Sequence, residues 1–269
     1  MAKLVFREDT KKSYLCRIMM QSKCFLPLCA ALLLFAGCAR ELSFKTFRLD
    51  DSVRLDGMDA TCEVSCSFDY LTGGVSRDVA ERINAGIVAG HILFEEAGGL
   101  SDVPAACRRW VEEQLGGFDV PEGEFDEDNS WMYQFRYSRE GRFTTACKSR
   151  HLQSYSVSYS DYSGGVHEMY GTDADVFDLT TGEAVAEPDL FAPGYEDGVA
   201  ALLAKAFEAY LAQEELEEDM FFGLPRPNGN FAVSEEGVTW TYNPYEIAPF
   251  AVGAISLTVR WSDLKPYLK

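Results

Sequence analysis

Residues 131–160, WMYQFRYSREGRFTTACKSRHLQSYSVSYS, alternate between hydrophobic and polar side chains over much of their length. The alternation has period 2 over 131–138 and again over 154–160, which is typical of strands with one buried face. Between them, 139–141 predicts a turn and 142–148 a further strand. Because short turns join neighbouring strands, this segment predicts antiparallel pairing.

Hydrophobic residues at helical spacing predict three helices around these strands. The first spans 77–97 and follows Ser76, whose hydroxyl can cap its first turn. The second spans 104–115. The third contains the hydrophobic positions of 199–211 and runs into an acidic stretch at 214–219.

Further strands complete the pattern, and no internal repeat is visible. They are predicted at 60–70, 230–234, 237–242 and 254–261, with a hairpin over 174–187 that turns at Gly182. Strands and helices are interspersed without regular alternation. This arrangement predicts an α+β fold with a largely antiparallel sheet, helices packed on one face, and two sequential α/β subdomains.

The first 37 residues have the pattern of a lipoprotein signal peptide. Six basic residues precede an uncharged stretch at 25–37, FLPLCAALLLFAG, which is shorter than the roughly 20 apolar residues that span a bilayer. Small residues then lead to Cys38, whose thiol is predicted to carry a diacylglycerol. The alternative is an ordinary secretory signal with an incidental cysteine. Translation starts at Met1 or at Met20.

Charge constrains the partners of the exported part. Removal of 1–37 takes away six of the 24 basic and two of the 43 acidic residues, which leaves a net charge near −23. Such a surface repels nucleic acid and anionic lipid, and it attracts cationic proteins. We therefore expect residues 38–58 to act as a tether and the rest to fold in the bacterial cell envelope, either periplasmic or surface-exposed.

Four cysteines remain after the signal peptide: Cys62, Cys66, Cys107 and Cys147. An even number in an exported chain permits two disulfides. Within one strand, Cys62 and Cys66 would lie about 13 Å apart, so each would need Cys107 or Cys147 as its partner. Four buried thiols are an equally good interpretation. The sequence has no CxxC pair and its histidines are scattered, so no metal site and no cofactor is indicated.

Two regions carry motifs that resemble a known family. One contains Tyr-Ser-Gly-Gly-Val-His at 162–167, Asp-Leu-Thr-Thr-Gly at 178–182 and Asp-Leu-Phe at 189–191; the other is PYEIAPFAVG at 244–253. Together they resemble the domain of unknown function 3298, also called the RsiV-like C-terminal domain, placed here at 151–269.

The preceding residues, 59–150, resemble more loosely the usual N-terminal companion of that family, the domain of unknown function 4163. Domains of this kind occur in envelope proteins, including an anti-sigma factor that senses lysozyme and proteins with a peptidoglycan deacetylase domain. The resemblance implies a binding role. The ligand-binding candidates are Tyr162, Gly164, Gly165, His167, Asp173, Asp175, Tyr245 and Glu246.

Several of these residues also have a purely structural interpretation. The two glycines permit a turn with positive φ, and His167 could simply hydrogen-bond within that turn. Tyr245 and Ile247 could fill the core, as could His91 on the apolar face of the first helix. Asp173, Asp175 and Asp178 lack the spacing of an EF-hand, and a strand would place Asp178 on the other face.

Three classes of function are compatible with these features. We predict a non-enzymatic envelope lipoprotein that binds a cationic lysozyme-type muramidase or cell-wall glycan. The second class is a cell-wall hydrolase with His167 as base and Asp173 or Asp175 as orienter, although no nucleophile elbow or diagnostic carboxylate pair accompanies them. The third is a structural envelope protein without a soluble ligand.

Overall fold

The computed structural model of the chain describes residues 41–94, 100–121 and 123–269. The predicted signal peptide and Cys38 lie outside these residues. No helix in the described part is both long and apolar enough to cross a membrane. The described part combines a five-stranded and a three-stranded sheet with helices, as the α+β prediction requires.

The five-stranded sheet has the order β1-β2-β3-β4-β5. Every neighbouring pair is antiparallel except β2 and β3, which are parallel. The strands are β1 (Ser43–Arg54), β2 (Thr61–Gly73), β3 (Gln134–Cys147), β4 (Leu152–Tyr162) and β5 (Met169–Asp178).

The parallel pair requires a crossover, and that crossover carries two helices, α1 (Arg77–Ile87) and α2 (Val103–Gly116). Ser76 caps α1 by accepting from the Val79 amide, and Asp102 caps α2 in the same way. Their apolar faces pack on one face of the sheet and form the first core. The helix predicted at 77–97 is shorter than expected, because a π-helical turn at Val88–Ile92 follows α1.

The three-stranded sheet consists of β6 (Phe231–Val233), β7 (Gly237–Tyr242) and β8 (Ile255–Arg260), all antiparallel. Together with α3 (Glu187–Leu190), α4 (Glu196–Glu214) and α5 (Trp261–Leu264), it encloses the second core. Short 3-10 turns lie at Glu127–Tyr133, Lys148–Arg150, Glu218–Met220, Phe250–Val252 and Lys265–Tyr267.

A buried carboxylate organises this second core. Glu187 accepts hydrogen bonds from the Tyr195 hydroxyl at 2.8 Å, the Trp240 indole at 2.6 Å and the Gly229 amide at 3.0 Å. Burial, together with the neighbouring Glu187 carboxylate, raises the pKa of Tyr195. These three donors replace the water that a buried carboxylate loses. Because Tyr195 precedes α4 and Trp240 lies on β7, Glu187 connects α3 to both elements.

Two asparagine side chains join the sheets at the outer edge of β5. Asn230 accepts from the Ala174 amide at 2.9 Å and donates to the Thr172 carbonyl at 2.8 Å. Asn243 accepts from the Thr172 amide at 2.8 Å. The two amides take the place of a sixth strand, so backbone groups of this edge are satisfied. We call this pair the asparagine clamp.

The prediction that residues 38–58 form a tether is wrong for most of this range. Residues 43–54 form β1, which pairs with β2 along its whole length. Its half-buried side chains, Phe47, Leu49 and Val53, pack on the first core. The strand was missed because charged and polar residues occupy its other face and much of its surroundings.

The turn predicted at 139–141 is also wrong, because β3 continues through it. Gly141 lies against the rings of Phe68 and Tyr155, so the glycine provides room for two core side chains and no turn. Trp131, predicted to face the core, lies in the 3-10 turn before β3 and is half exposed. The subdomain boundary predicted between 150 and 151 falls inside the β3–β4 pair, so the first sheet spans both predicted subdomains.

All four described cysteines are buried thiols without disulfides. Cys66 and Cys107 are neighbours across the β2–α2 contact, and hydrogen bonding to the Cys107 thiol, together with burial, raises the pKa of Cys66. The interpretation as buried thiols therefore describes the structure.

Gly141→Val should lower the free energy of unfolding by about 1–3 kcal/mol, because a branched side chain there collides with Phe68 and Tyr155. Urea denaturation measures the difference. Gly116→Ala is the matched control, since open space surrounds that position near the end of α2. We expect it to leave stability unchanged or raise it by up to about 1 kcal/mol. Equal effects of the two changes would contradict the packing role of Gly141.

Candidate functional site

The two motif regions, distant in sequence, meet through one aromatic ring. The Phe250 ring stacks on His167, with centroids 4.1 Å apart and planes at 26°. Tyr170 and Tyr245 also contact Phe250, at centroid distances of 5.2 and 5.8 Å. We call these four residues the aromatic cluster. It joins the β4–β5 loop to the β7–β8 loop.

The Tyr-Ser-Gly-Gly-Val-His motif shapes its own loop. Gly164 and Gly165 have φ of 89° and 106°, in the left-handed region that favours glycine. Tyr162 is buried and its hydroxyl donates to the Gly165 carbonyl at 3.1 Å. The Nδ1 of His167 lies 2.8 Å from the Glu168 carbonyl, as the structural interpretation of this histidine predicts. Three of the candidates therefore hold the loop and leave the His167 ring at the surface.

The PYEIAPFAVG motif divides its side chains between core and surface. Ile247 is buried, whereas Tyr245 is 49% exposed, so the expectation that both fill the core is wrong for Tyr245. Tyr245 has φ of 72°, which is uncommon for a bulky residue. Its amide donates to the Ala248 carbonyl at 3.0 Å, and this tight turn holds the exposed ring in place. Glu246 is exposed and accepts from the Asn228 side chain.

A second exposed apolar segment lies beside the β7–β8 loop. The Phe222 amide donates to the Ile247 carbonyl at 2.8 Å, and the Phe221 ring packs on Phe207 of α4 at 4.9 Å. These contacts fix the segment, yet its large side chains remain in solvent. The exposed side chains are Met220, Phe222 and Leu224.

An acidic run precedes this segment at the end of α4. Glu214 ends the helix, Glu215 follows in the left-handed region, and Glu217, Glu218 and Asp219 come next. The C-terminus of a helix carries partial negative charge, so these carboxylates are poorly placed there without a cation. No salt bridge within the described ranges involves the run.

A cavity of about 220 Å³ lies between the π-helical turn and the first sheet. It is lined by His91, Phe94, Arg139, Val157, Tyr159 and Asp173. Side chains of β3, β4 and β5 alternate between the two faces of the sheet. The four strand residues of the cavity, Arg139, Val157, Tyr159 and Asp173, are on the face that points toward the helices. The cavity is thus an unfilled part of the interface between sheet and crossover.

Two basic side chains that line this cavity each contact a carboxylate. His91 is buried, as predicted, and its Nε2 lies 2.8 Å from Oδ2 of Asp175. Arg139 donates to both oxygens of Asp161, at 2.5 and 2.8 Å. The Arg139 guanidinium also lies over the ring of Tyr159 at 5.2 Å. Both basic side chains therefore have a carboxylate partner.

Asp173 has no ion pair in the described part of the chain. Its hydrogen-bond partner is the Asn243 side chain, at a long 3.5 Å. Loss of water around the carboxyl group raises the pKa of Asp173, and the nearby Asp175 and Glu246 add to this, whereas His91 acts in the opposite direction. The same environment raises the pKa of Tyr159. Asp173 is exposed and lines the mouth of the cavity.

The predicted hydrolytic pair does not form. Asp175, one proposed orienter of His167, is bound to His91, and Asp173 is bound to Asn243. Within the described residues, His167 has no carboxylate partner. Asp178 lies on the opposite face of β5, as expected, and caps the following turn by accepting from two backbone amides.

Sequence reasoning missed Arg139 and Tyr159 as site residues. Arg139 was assigned to a turn, although the strand alternation continues through it. The period-2 pattern of 154–160 places Tyr159 on the same strand face as Tyr155 and Val157, which indicates packing and no site. The pairing of Arg139 with Tyr159 in the β3–β4 register was the signal that could have placed both at one site.

Residues 188–262 match the family model described as a protein of unknown function, DUF3298. They form a DUF3298 domain. This DUF3298 domain supplies Tyr245, Phe250 and both residues of the asparagine clamp, whereas His167 and Asp173 precede it in sequence. The search of curated proteins finds no match for the chain.

Two solved structures of DUF3298-family proteins share the fold. One, from Bacteroides fragilis, is 20% identical, covers 86% of this chain and 95% of its own, and has a TM-score of 0.74. The other, from Pseudomonas aeruginosa, is 16% identical, covers 84% and 95%, and has a TM-score of 0.63. At these identities the likeness concerns the fold alone, and it extends well beyond the DUF3298 domain.

Asp173→Asn should raise the free energy of unfolding at pH 7. A carboxyl group whose folded pKa is raised gives stability at low pH that is lost as pH rises through that pKa. The difference in free energy of unfolding between the variant and the unaltered chain should therefore shrink when the pH falls below 3.8, the ordinary pKa of an aspartate. Urea denaturation at several pH values measures it. Asp119→Asn, at an exposed position, is the control for the change in net charge. An equal rise in its free energy of unfolding would contradict a destabilising effect specific to the Asp173 carboxylate.

Proposed function

We propose that the folded part of the chain is a non-enzymatic binding module for a basic protein, such as a lysozyme-type muramidase. A lipid on Cys38 would hold it at the bacterial cell envelope, either in the periplasm or at the surface. The main observation in support of the proposal is the contact of the two motif loops at Phe250, which places the exposed rings of His167 and Tyr245 near the exposed carboxylate of Glu246.

The surface has the composition of a protein-binding site. Tyr245, Phe222 and Met220 are exposed, and aromatic and Met side chains are enriched in interface cores. The backbone contact between Phe222 and Ile247 brings the two exposed segments side by side. A hydrogen-bonded turn holds the Tyr245 backbone and its ring contacts Phe250, so less conformational entropy would be lost when a partner covers it.

Charge favours a basic partner over a neutral one. The acidic run after α4 and Glu246 flank these apolar side chains, and the exported chain as a whole has a net charge near −23. A strongly basic protein would be steered toward such a surface at low salt. It would also relieve the repulsion between the acidic run and the C-terminus of α4.

The position of His167 supports binding over hydrolysis. Its ring stacks on Phe250 and its Nδ1 faces the carbonyl of its own turn. The carboxylates that a hydrolytic mechanism would use bind other side chains.

Cell-wall glycan is the second candidate partner. A groove on the face of the first sheet that points away from α1 and α2 supports it. A groove of about 500 Å³ crosses that face and is lined largely by hydroxyl and charged groups, which suit a polyol. They include Ser52, Ser65, Ser138, Ser160, Glu63 and Arg136. Co-sedimentation with insoluble peptidoglycan tests this candidate separately.

Titration of the full chain in non-ionic detergent with lysozyme tests the proposed partner. We expect binding at low salt that weakens at about 0.5 M salt, because exposed charges are then screened. Tyr245→Ala should raise Kd by roughly tenfold or more, because it removes an exposed aromatic anchor. Phe44→Ala is the matched control, since Phe44 on β1 is 50% exposed against 49% for Tyr245. Absence of binding by the unaltered chain at low salt would remove the protein partner.

A further inference from the structure

We propose that the cavity between the π-helical turn and the first sheet is a receptor for one cationic head group, an ammonium or guanidinium on an alkyl stem, with Asp173 as its counter-ion. The proposal rests on the proposed function only for the source of that head group, a lysine or arginine side chain of the basic partner. A free amine would present the same chemistry.

The charges of the cavity leave one carboxylate uncompensated. His91 is paired with Asp175 and Arg139 with Asp161, each through short contacts. Asp173, by contrast, has only the long hydrogen bond from Asn243 within the described residues. Asp173 is exposed and lines the cavity, so a cation that enters meets a carboxylate that no basic side chain of the described residues pairs with.

An anion does not fit the same space. It would approach Asp173, with Asp175 and Glu246 close enough to influence the pKa of Asp173. The face of the Arg139 guanidinium that carries both Nη groups is already occupied by Asp161, which leaves this face closed to an anion. The cavity therefore selects positive charge although two basic side chains line it.

The walls suit an alkyl stem and exclude a bare metal ion as occupant. Val157, Phe94 and the Tyr159 ring provide apolar surface beside the carboxylate, which is how proteins hold the stems and heads of lysine and arginine. The volume equals about seven waters at liquid density, more than a single ion needs. No group of three or more potential metal ligands occurs in the part of the chain that the structure describes.

The mouth of the cavity adjoins the loop that carries Tyr245. Asn243, at the start of this loop, contacts Asp173, and a Cβ at Gly171 would lie 3.0 Å from the Asn243 side chain and 2.5 Å from the Tyr159 hydroxyl. The absence of a side chain at Gly171 lets Tyr159 and Asn243 approach each other. A protein that covers Tyr245 could thus place one of its basic side chains on Asp173.

The test uses a small probe, Nα-acetyl-lysine N-methylamide, titrated into the full chain and followed by NMR shifts of the His91 ring. We expect saturable binding that weakens by roughly tenfold or more in Asp173→Asn. The Nε-acetylated probe, which keeps the stem but loses the charge, should not bind. Asp119→Asn is the control for net charge and should bind as the unaltered chain does. Equal binding by Asp173→Asn, or equal binding of the acetylated probe, would overturn the proposal.

A parallel titration with lysozyme separates this inference from the proposed function. Loss of lysozyme affinity in Asp173→Asn, and after acetylation of the lysozyme lysines, would assign the head group to the protein partner. Binding of the probe without binding of lysozyme would keep the cation receptor, assign it to free amines and reject the proposed partner. Lysozyme binding without probe binding would keep the partner and reject the receptor.

Discussion

The asparagine clamp on β5 is the interaction on which the rest of the architecture depends. The first sheet ends at β5, and an open edge would leave backbone groups without partners. Asn230 and Asn243 satisfy them from two different segments of the DUF3298 domain. Because Asn243 also begins the β7–β8 loop, the same contact that closes the sheet fixes Tyr245 and Phe250 beside His167. The residue that protects the edge of β5 therefore also positions the loop that carries Tyr245 and Phe250.

Two groups of carboxylates lie at positions where their charge does not stabilise the fold. The surroundings of Asp173 raise its pKa although the side chain is exposed, and the acidic run lies at the unfavourable end of α4. Asp173 forms no ion pair within the described residues, because the nearby His91 and Arg139 contact Asp175 and Asp161 instead. The acidic run also forms no salt bridge within the described residues, so neither group stabilises the fold through an ion pair. Unfavourable charge that folding does not require is expected where a ligand of opposite sign is bound.

The sequence was informative where local patterns are strong. The helix spacing of 199–211 and the period-2 strands predicted α4, β2, β4, β7 and β8 closely, and the two glycines at 164–165 marked a true positive-φ turn. The motifs also located the two loops that meet in the structure.

What the sequence could not provide depends on distant partners. Strand β1 has few apolar residues and becomes a strand because β2 offers an edge. Gly141 is indistinguishable in sequence from a turn glycine until Phe68 and Tyr155 are placed beside it. The site residues His91, Arg139 and Tyr159 come from a helix end and two strands, and only the register of the sheet brings them together. Contact through Phe250 likewise links residues that are more than 80 positions apart.

The origin of the clamp residues has a consequence for biogenesis. All five strands of the first sheet precede residue 179, whereas the side chains that close its edge come from 230 and 243. A chain that emerges from its N-terminus can pair β1 to β5 before the last quarter of its sequence is available. Residues 183–185 can already pair with the end of β5 during that interval, but the edge around Thr172 and Ala174 is open, the kind of surface that recruits a strand from another molecule. Slow delivery of the C-terminal quarter, or its loss by proteolysis, would thus leave this edge open as a template for self-association.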